Sequence, residues 1–156
     1  MKILGAILFL LTLSFAVAAE ECPSTPPKID KAIRRHVSKL RAAEYCEART
    51  VKAEGGITVA IYTAEGACAG FNARSKPGTC SNNWSRYMVV LAGQCVTPPI
   101  EVGSKGDLSD TGVEISEGII KITGLVVGPN DAMCCPSVPE ARRFKFSQAR
   151  LSRIRP

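Results

Sequence analysis

A chain of 156 residues with 20 lysines and arginines against 14 acids carries a net charge of +6, and it includes seven cysteines. These features exclude a multi-spanning membrane protein and a repeat array, because no apolar run beyond residue 19 approaches the ~20 residues a span needs and no period recurs. One hydrophobic core can organise a chain of this length, and an odd cysteine count leaves at least one thiol free, capped or paired between chains.

Residues 1–19 open with Lys2, continue through Ile3-Leu4-Gly5-Ala6-Ile7-Leu8-Phe9-Leu10-Leu11 and finish on Val17-Ala18-Ala19. A short apolar core ending on small residues reads as a signal peptide removed on export, not as an anchor. Lipid attachment would need a cysteine directly after a small residue, whereas Cys22 follows Glu21. The expectation is therefore a soluble periplasmic or secreted protein, still basic after the loss of Lys2, whose cysteines are joined as disulfides.

Residues 20–27 form a polar leader with three prolines, and residues 28–156 read as one α+β domain. Thr25-Pro26 offers a helix cap followed by proline at the first helical position. Ile29, Ile33, Val37 and Leu40 then recur at helical spacing among Lys28, Lys31, Arg34, Arg35, Lys39 and Arg41, which predicts an amphipathic helix closing near Tyr45-Cys46. After Gly55-Gly56, the segment Ile57 to Tyr62 alternates as a half-buried strand. Between Gly66 and Asn83 the pattern dissolves into Gly, Ser, Pro and Asn, with Cys68 and Cys80 near the two ends of the excursion. Cys68 and Cys80 are expected to pair, closing a loop worth about 3 kcal/mol in the chain-entropy account.

Met88 to Ala92 is a continuous apolar run, the signature of a central strand buried on both faces. Cys95 to Pro99 begins the return, and Pro98-Pro99 confines pairing there to an edge or a loop. Val113 to Ser116, Glu117-Gly118 and Ile119 to Val127 read as a tight hairpin. Arg143 to Phe146 alternates again, and Leu151 to Ile154 supplies a last short edge. One helix and about six short strands predict an α+β fold: an N-terminal amphipathic helix on a mainly antiparallel sheet, stapled by disulfides.

The adjacent cysteines interrupt this strand-rich half, in Gly128-Pro129-Asn130-Asp131-Ala132-Met133-Cys134-Cys135-Pro136-Ser137. Neighbouring Cα atoms lie about 3.8 Å apart, short of the ~4.4 Å that ordinary disulfides need, so a Cys134–Cys135 ring would be easily reduced. In the alternative, the two side chains point to opposite sides and pair separately with Cys22, Cys46 or Cys95. Asp131, Cys134 and Cys135 lack the cysteine spacing of zinc sites, and no metal or cofactor is expected. His36, the one histidine, reads as a solvated helical residue with no nucleophile to serve. Asp107, Asp110, Glu114 and Glu117 cluster without naming an acid–base pair.

Three segments, Asn82-Asn83-Trp84-Ser85-Arg86-Tyr87, Val102-Gly103-Ser104-Lys105-Gly106 and Gly128 to Ser137, occur in the order and approximate spacing of a group of small exported bacterial proteins. The last of them, with its Asp-x-x-Cys-Cys-Pro-Ser core, resembles the C-terminal end of the LppP/LprE lipoproteins. The resemblance covers about Ile57 to the C-terminus; it implies an envelope location and little about activity. This chain lacks the lipidation cysteine of those lipoproteins.

The function expected from these readings is a non-enzymatic exported binding or structural domain. Its candidate surface is the loop carrying Asn130, Asp131, Cys134 and Cys135 together with Asn83 and Trp84. Two alternatives are a thiol-redox protein using Cys134 and Cys135, and an envelope-surface or inhibitor-like protein. The latter would bind anionic partners through Lys28 to Arg41 and the tail residues Arg142, Arg143, Lys145, Arg150, Arg153 and Arg155. An envelope protein or an anionic surface is the expected partner; nucleic acid is not.

Overall fold

The computed structural model describes residues 22–68, 76–80 and 82–154, leaving aside the side chains at 110 and 111. The expected signal peptide lies outside the described residues. Ile29, Ile33 and Val37, spaced by helical turns, form the buried stripe of α1, Pro27–Leu40. Pro26 takes the cap position and offers no side-chain bond, so Thr25 donates instead to Asp30 Oδ1 at 2.5 Å. Arg41 adopts a left-handed conformation (φ 52°, ψ 45°), and the amides of Arg41 and Ala42 bond back to Ser38 and Val37. That closure ends the helix before the expected Tyr45-Cys46.

The expected single sheet of about six strands under a helix is not what forms. Among the described residues there are nine strands in two antiparallel sheets. The first sheet holds β1 (Ala43–Glu54), β2 (Ile57–Glu65), β3 (Trp84–Ala92), β4 (Cys95–Val96) and β5 (Ile100–Ser104); the second holds β6 (Ser109–Ser116), β7 (Ile119–Val126), β8 (Val138–Ser147) and β9 (Arg150–Ile154). In the first sheet β3 pairs with β2 along one side and with both β4 and β5 along the other; the second is a simple β6-β7-β8-β9 meander. Glu117 and Gly118, at φ 50° and 74°, make the β6–β7 turn from two left-handed residues, the geometry that matches strand twist.

Three layers account for the burial. On one face of the first sheet Ala60, Tyr62, Ala64 and Val89 pack against the helical stripe. On the other, Val59, Ile61, Met88, Val90 and Val102 meet Ile115, Ile120, Ile122 and Phe144 of the second sheet. Residues 59–64 of β2 are consequently all buried, and the apparent alternation of Ile57 to Tyr62 conceals a strand covered on both sides.

Two irregularities shape the ends of the first sheet. Between Tyr45, opposite Thr63, and Thr50, opposite Ile61, β1 carries Cys46 to Arg49 as a wide bulge. The bulge receives the leader: Cys22 is joined to Cys46, and Arg49 reaches back to the Pro23 carbonyl at 3.2 Å. At the far edge Pro98-Pro99 splits β4 from β5, and buried Thr97 fills the gap. Its amide donates to the Val90 carbonyl at 2.9 Å, and its Oγ1 accepts from the Val90 amide at 3.0 Å, so the ladder loses no bond at the break.

Candidate functional site

The chain passes from the first sheet to the second through a turn, Lys105 to Leu108, whose position is set by one buried cation. Arg142 lies on the inward face of β8, donates to the Val102 carbonyl at 3.0 Å, and grips both oxygens of Asp107, one at 2.7 Å. Glu140 accepts from its Nε at 2.7 Å. The Arg142 bonds hold the Asp107 carboxyl below its usual range against the opposing effect of burial. Arg142 therefore belongs to the framework, not to an exposed basic tail as expected from sequence.

The loop from Gly128 to Ser137 is shaped by a clasp. Asp131 Oδ2 accepts from the Gly128 amide at 2.7 Å and the Ser137 amide at 2.9 Å, while the Ser137 hydroxyl donates to Oδ1 at 2.8 Å. The Gly128 amide, followed by Ser137, keeps this carboxyl below its ordinary value. A short aspartate closing its own turn in this way is the reason for Asp131. Inside the clasp Cys134 and Cys135 are joined to each other, their Cα atoms 3.8 Å apart, and both are exposed. Met133 beside them is 61% exposed, an unusual position for a methionine.

The turn, the loop and the start of β3 enclose a hollow of about 260 Å³. Trp84, Lys105, Gly106, Met133, Cys134 and Pro136 contribute to its walls, so all three segments singled out in the sequence reach it. Lys105 Nζ donates to Asn82 Oδ1 at 2.9 Å, tying the turn to the entrance of β3. Gly106, at φ +78°, sits so close to the Met133 methyl that a Cβ there would strike it. The lining thus combines two polarizable sulfurs, a tryptophan, the Asn82 side chain, one lysine and the Asp107 carboxylate that Arg142 holds.

Of the residues expected to form the site, Trp84 and Cys134 line the hollow, and Cys135 completes the ring. Asn83 does not reach it: its Nδ2 donates to the Ala67 carbonyl at 2.9 Å, and its main chain bonds to Gly66 and Cys80. Asn130 is exposed and does not line the hollow, and Asp131 is committed to the clasp. Met133 and Pro136, inside the expected loop, line the hollow as well, and Lys105 joins them from outside that expectation. The adjacency of Ser104-Lys105-Gly106 to the other motifs appears only once the β5–β6 turn is folded.

Cys68 and Cys80 come together as the sequence predicts, Cys134 and Cys135 take the ring and not the separate pairings, and several charges sort differently from expectation. Cys68 lies at disulfide distance from Cys80, with Cα atoms 4.8 Å apart, and Cys22 from Cys46 at 4.4 Å; Cys95 is an exposed free thiol at the start of β4. No bridge links the Cys134-Cys135 loop to the helix or the first sheet. The ligand atoms of Cys22, Cys46 and Glu44 gather within 4.8 Å, but the two sulfurs are bonded to each other and Glu44 is held by Arg49, so this cluster offers no thiolate to a metal.

His36 is half-buried, not fully solvated as expected. Its Nδ1 lies 2.7 Å from the hydroxyl of buried Tyr62 and its ring meets Tyr87 edge-on, with burial and then Lys39 lowering its pKa. Glu114 pairs with Lys121 at 3.1 Å on the exposed face of the hairpin, as a structural charge. No described helix is long and apolar enough to cross a membrane. Compared with protein-family models, curated proteins and solved structures, the chain has no match in any of the three.

Proposed function

We propose that this is an exported, non-enzymatic binding protein of the bacterial envelope, and that it grips a protein partner by one anchoring side chain inserted beside the Cys134–Cys135 ring. The observation that carries the reading is the convergence of three sequence-separated segments on one hollow. At about 260 Å³ the space falls just under the ~300–1,000 Å³ of pockets that engulf a whole small molecule, and it suits one side chain of a larger partner. Exposed Met133 and the sulfur ring supply an apolar centre, and Lys105 and Asn82 supply a polar rim, the arrangement of an interface anchor point. The envelope location rests on the signal-like residues 1–19 and on the resemblance to LppP/LprE lipoproteins.

A photoreactive amino acid at position 133 is expected to crosslink one discrete protein in intact cells, and Lys105→Glu in the same chain to reduce that product at least fivefold while leaving the melting temperature within a few degrees. Equal crosslinking from position 133 and from exposed position 54 on the opposite sheet would overturn the reading.

The exposure of both ring sulfurs favours a second reading, thiol–disulfide exchange. A partner thiolate would attack one sulfur and release the other as a thiolate; a second partner thiol would then displace the mixed disulfide, leaving the partner oxidised and Cys134 and Cys135 as thiols. Under mild reductant, thiol labelling is expected to reach these two cysteines before the pairs Cys22–Cys46 and Cys68–Cys80. Labelling of all three pairs at one rate would dismiss it.

A further inference from the structure

We propose that the groove between α1 and the β4–β5 break is a second binding site, for an extended acidic segment of polypeptide. It stands independently of the hollow beside the disulfide ring. The groove encloses about 590 Å³, with Lys28, Lys31, Arg35 and Lys39 along one wall and Pro98 and Pro99 along the other.

Among the described residues the cationic wall has no carboxylate to neutralise it. Asp30 is the helix's one acid, and it lies on the other side, bonded to Arg49 at 2.7 Å. Among the described residues no carboxylate pairs with Lys31, Arg35 or Lys39, and Lys28 donates only to the main chain and side chain of Gln94. Lys31, Arg35 and Lys39 follow one another at four-residue intervals, the spacing at which like charges repel and weaken a helix. An ordinary solvated helix places acids between such cations. Here no described carboxylate does so, which leaves the row open to an anion from outside.

Spacing and shape select the kind of anion. At 1.5 Å per residue the four cations fall about 4.5–6 Å apart along the axis. An extended peptide presents side chains to one face every ~6.6 Å, a mismatch that flexible lysine arms absorb. The concave space between helix and prolines admits a single chain but not the plane of a bilayer. It offers no free aromatic face for stacking nucleobases either, since His36 is engaged by Tyr62 and Tyr87. Pro99 has no amide to donate, so the wall supplies apolar contact and the cations supply the affinity.

The test is fluorescence anisotropy with a labelled ten-residue peptide carrying glutamate at alternate positions, against the full exported chain with disulfides intact. Saturable binding at low salt is expected, several-fold weaker at 0.5 M salt and lost when glutamine replaces glutamate. Arg35→Glu should weaken it about tenfold, whereas the double change Arg143→Glu, Lys145→Glu, on the outward face of β8, should leave it within twofold. Arg35→Glu turns a repulsive row into alternating charges, so its effect is not attributable to helix melting. Absence of peptide binding, equal losses from the two variants, or tighter binding of a heparin oligosaccharide or of anionic vesicles would each overturn the proposal.

Discussion

Replacing Arg49 with alanine is expected to cost about 3–5 kcal/mol, a fall of roughly 10–20 °C in melting temperature, because it strands charges already withdrawn from water. The Arg49 side chain is 5% exposed and Glu44 beside it 12%. Its guanidinium donates to both Glu44 oxygens, at 2.7 and 2.8 Å, to Asp30 Oδ1 at 2.7 Å and to the Pro23 carbonyl. One side chain thus joins helix, first strand and leader, and no rearrangement of a short alanine restores these contacts.

The same network fixes a pH dependence. Burial pushes the Asp30 carboxyl up, but the bonds from Thr25 and Arg49 more than offset it, leaving its pKa below the ordinary value. A carboxylate depressed in the folded state stabilises the fold above its unfolded pKa, about 4, and that contribution disappears as pH falls through the folded value. Urea midpoints of the parent chain and Arg49→Ala should therefore lie far apart at pH 7 and draw together below pH 4. A gap that stayed constant with pH would mean that lost packing, not lost pairing, is the cause.

Gly103→Ala is expected to cost about 3 kcal/mol, at the upper end of overpacking losses, although Gly103 has an ordinary backbone conformation. A Cβ there would overlap the main-chain carbonyl of Leu108, where the chain crosses between sheets, and a carbonyl fixed between two layers cannot swing aside as a side-chain tip can. Leu108 itself is 1% exposed. Gly55→Ala makes the contrast: φ is +58°, yet nothing lies within 4 Å of the added carbon, so only the left-handed strain of about 1–2 kcal/mol remains. Thermal melts of the two variants should rank Gly103→Ala as the more damaging, and the reverse order would place the tight crossing elsewhere.

These cases show where sequence patterns lose their information. The helical stripe of Ile29, Ile33 and Val37, the Glu117-Gly118 hairpin and the inward Phe144 were legible because each follows from a local period or turn. The strand Ala43–Glu54 was not, since its alanines, glutamates, lysine and arginine favour a helix; pairing with β2 overrides that preference. Nor does a period of two say which sheet a strand joins, so the second layer was invisible and Ile57 to Tyr62 looked half-exposed. At the site, the cysteine pair and Trp84 announced themselves by residue type. Lys105 entered only through the crossing between sheets, a long-range fact with no local signature.

Every lateral border of the two sheets carries an obstacle to recruitment of a further strand. Cys46 to Arg49 distort β1, Pro98-Pro99 part β4 from β5, a register shift between Asp110 and Gly112 kinks β6, and β9 bears Arg150 and Arg153. A protein so rich in strands, held at high concentration, would otherwise polymerise edge to edge into cross-β fibrils. The deviations that make its topology hard to read are thus also what disfavours that assembly.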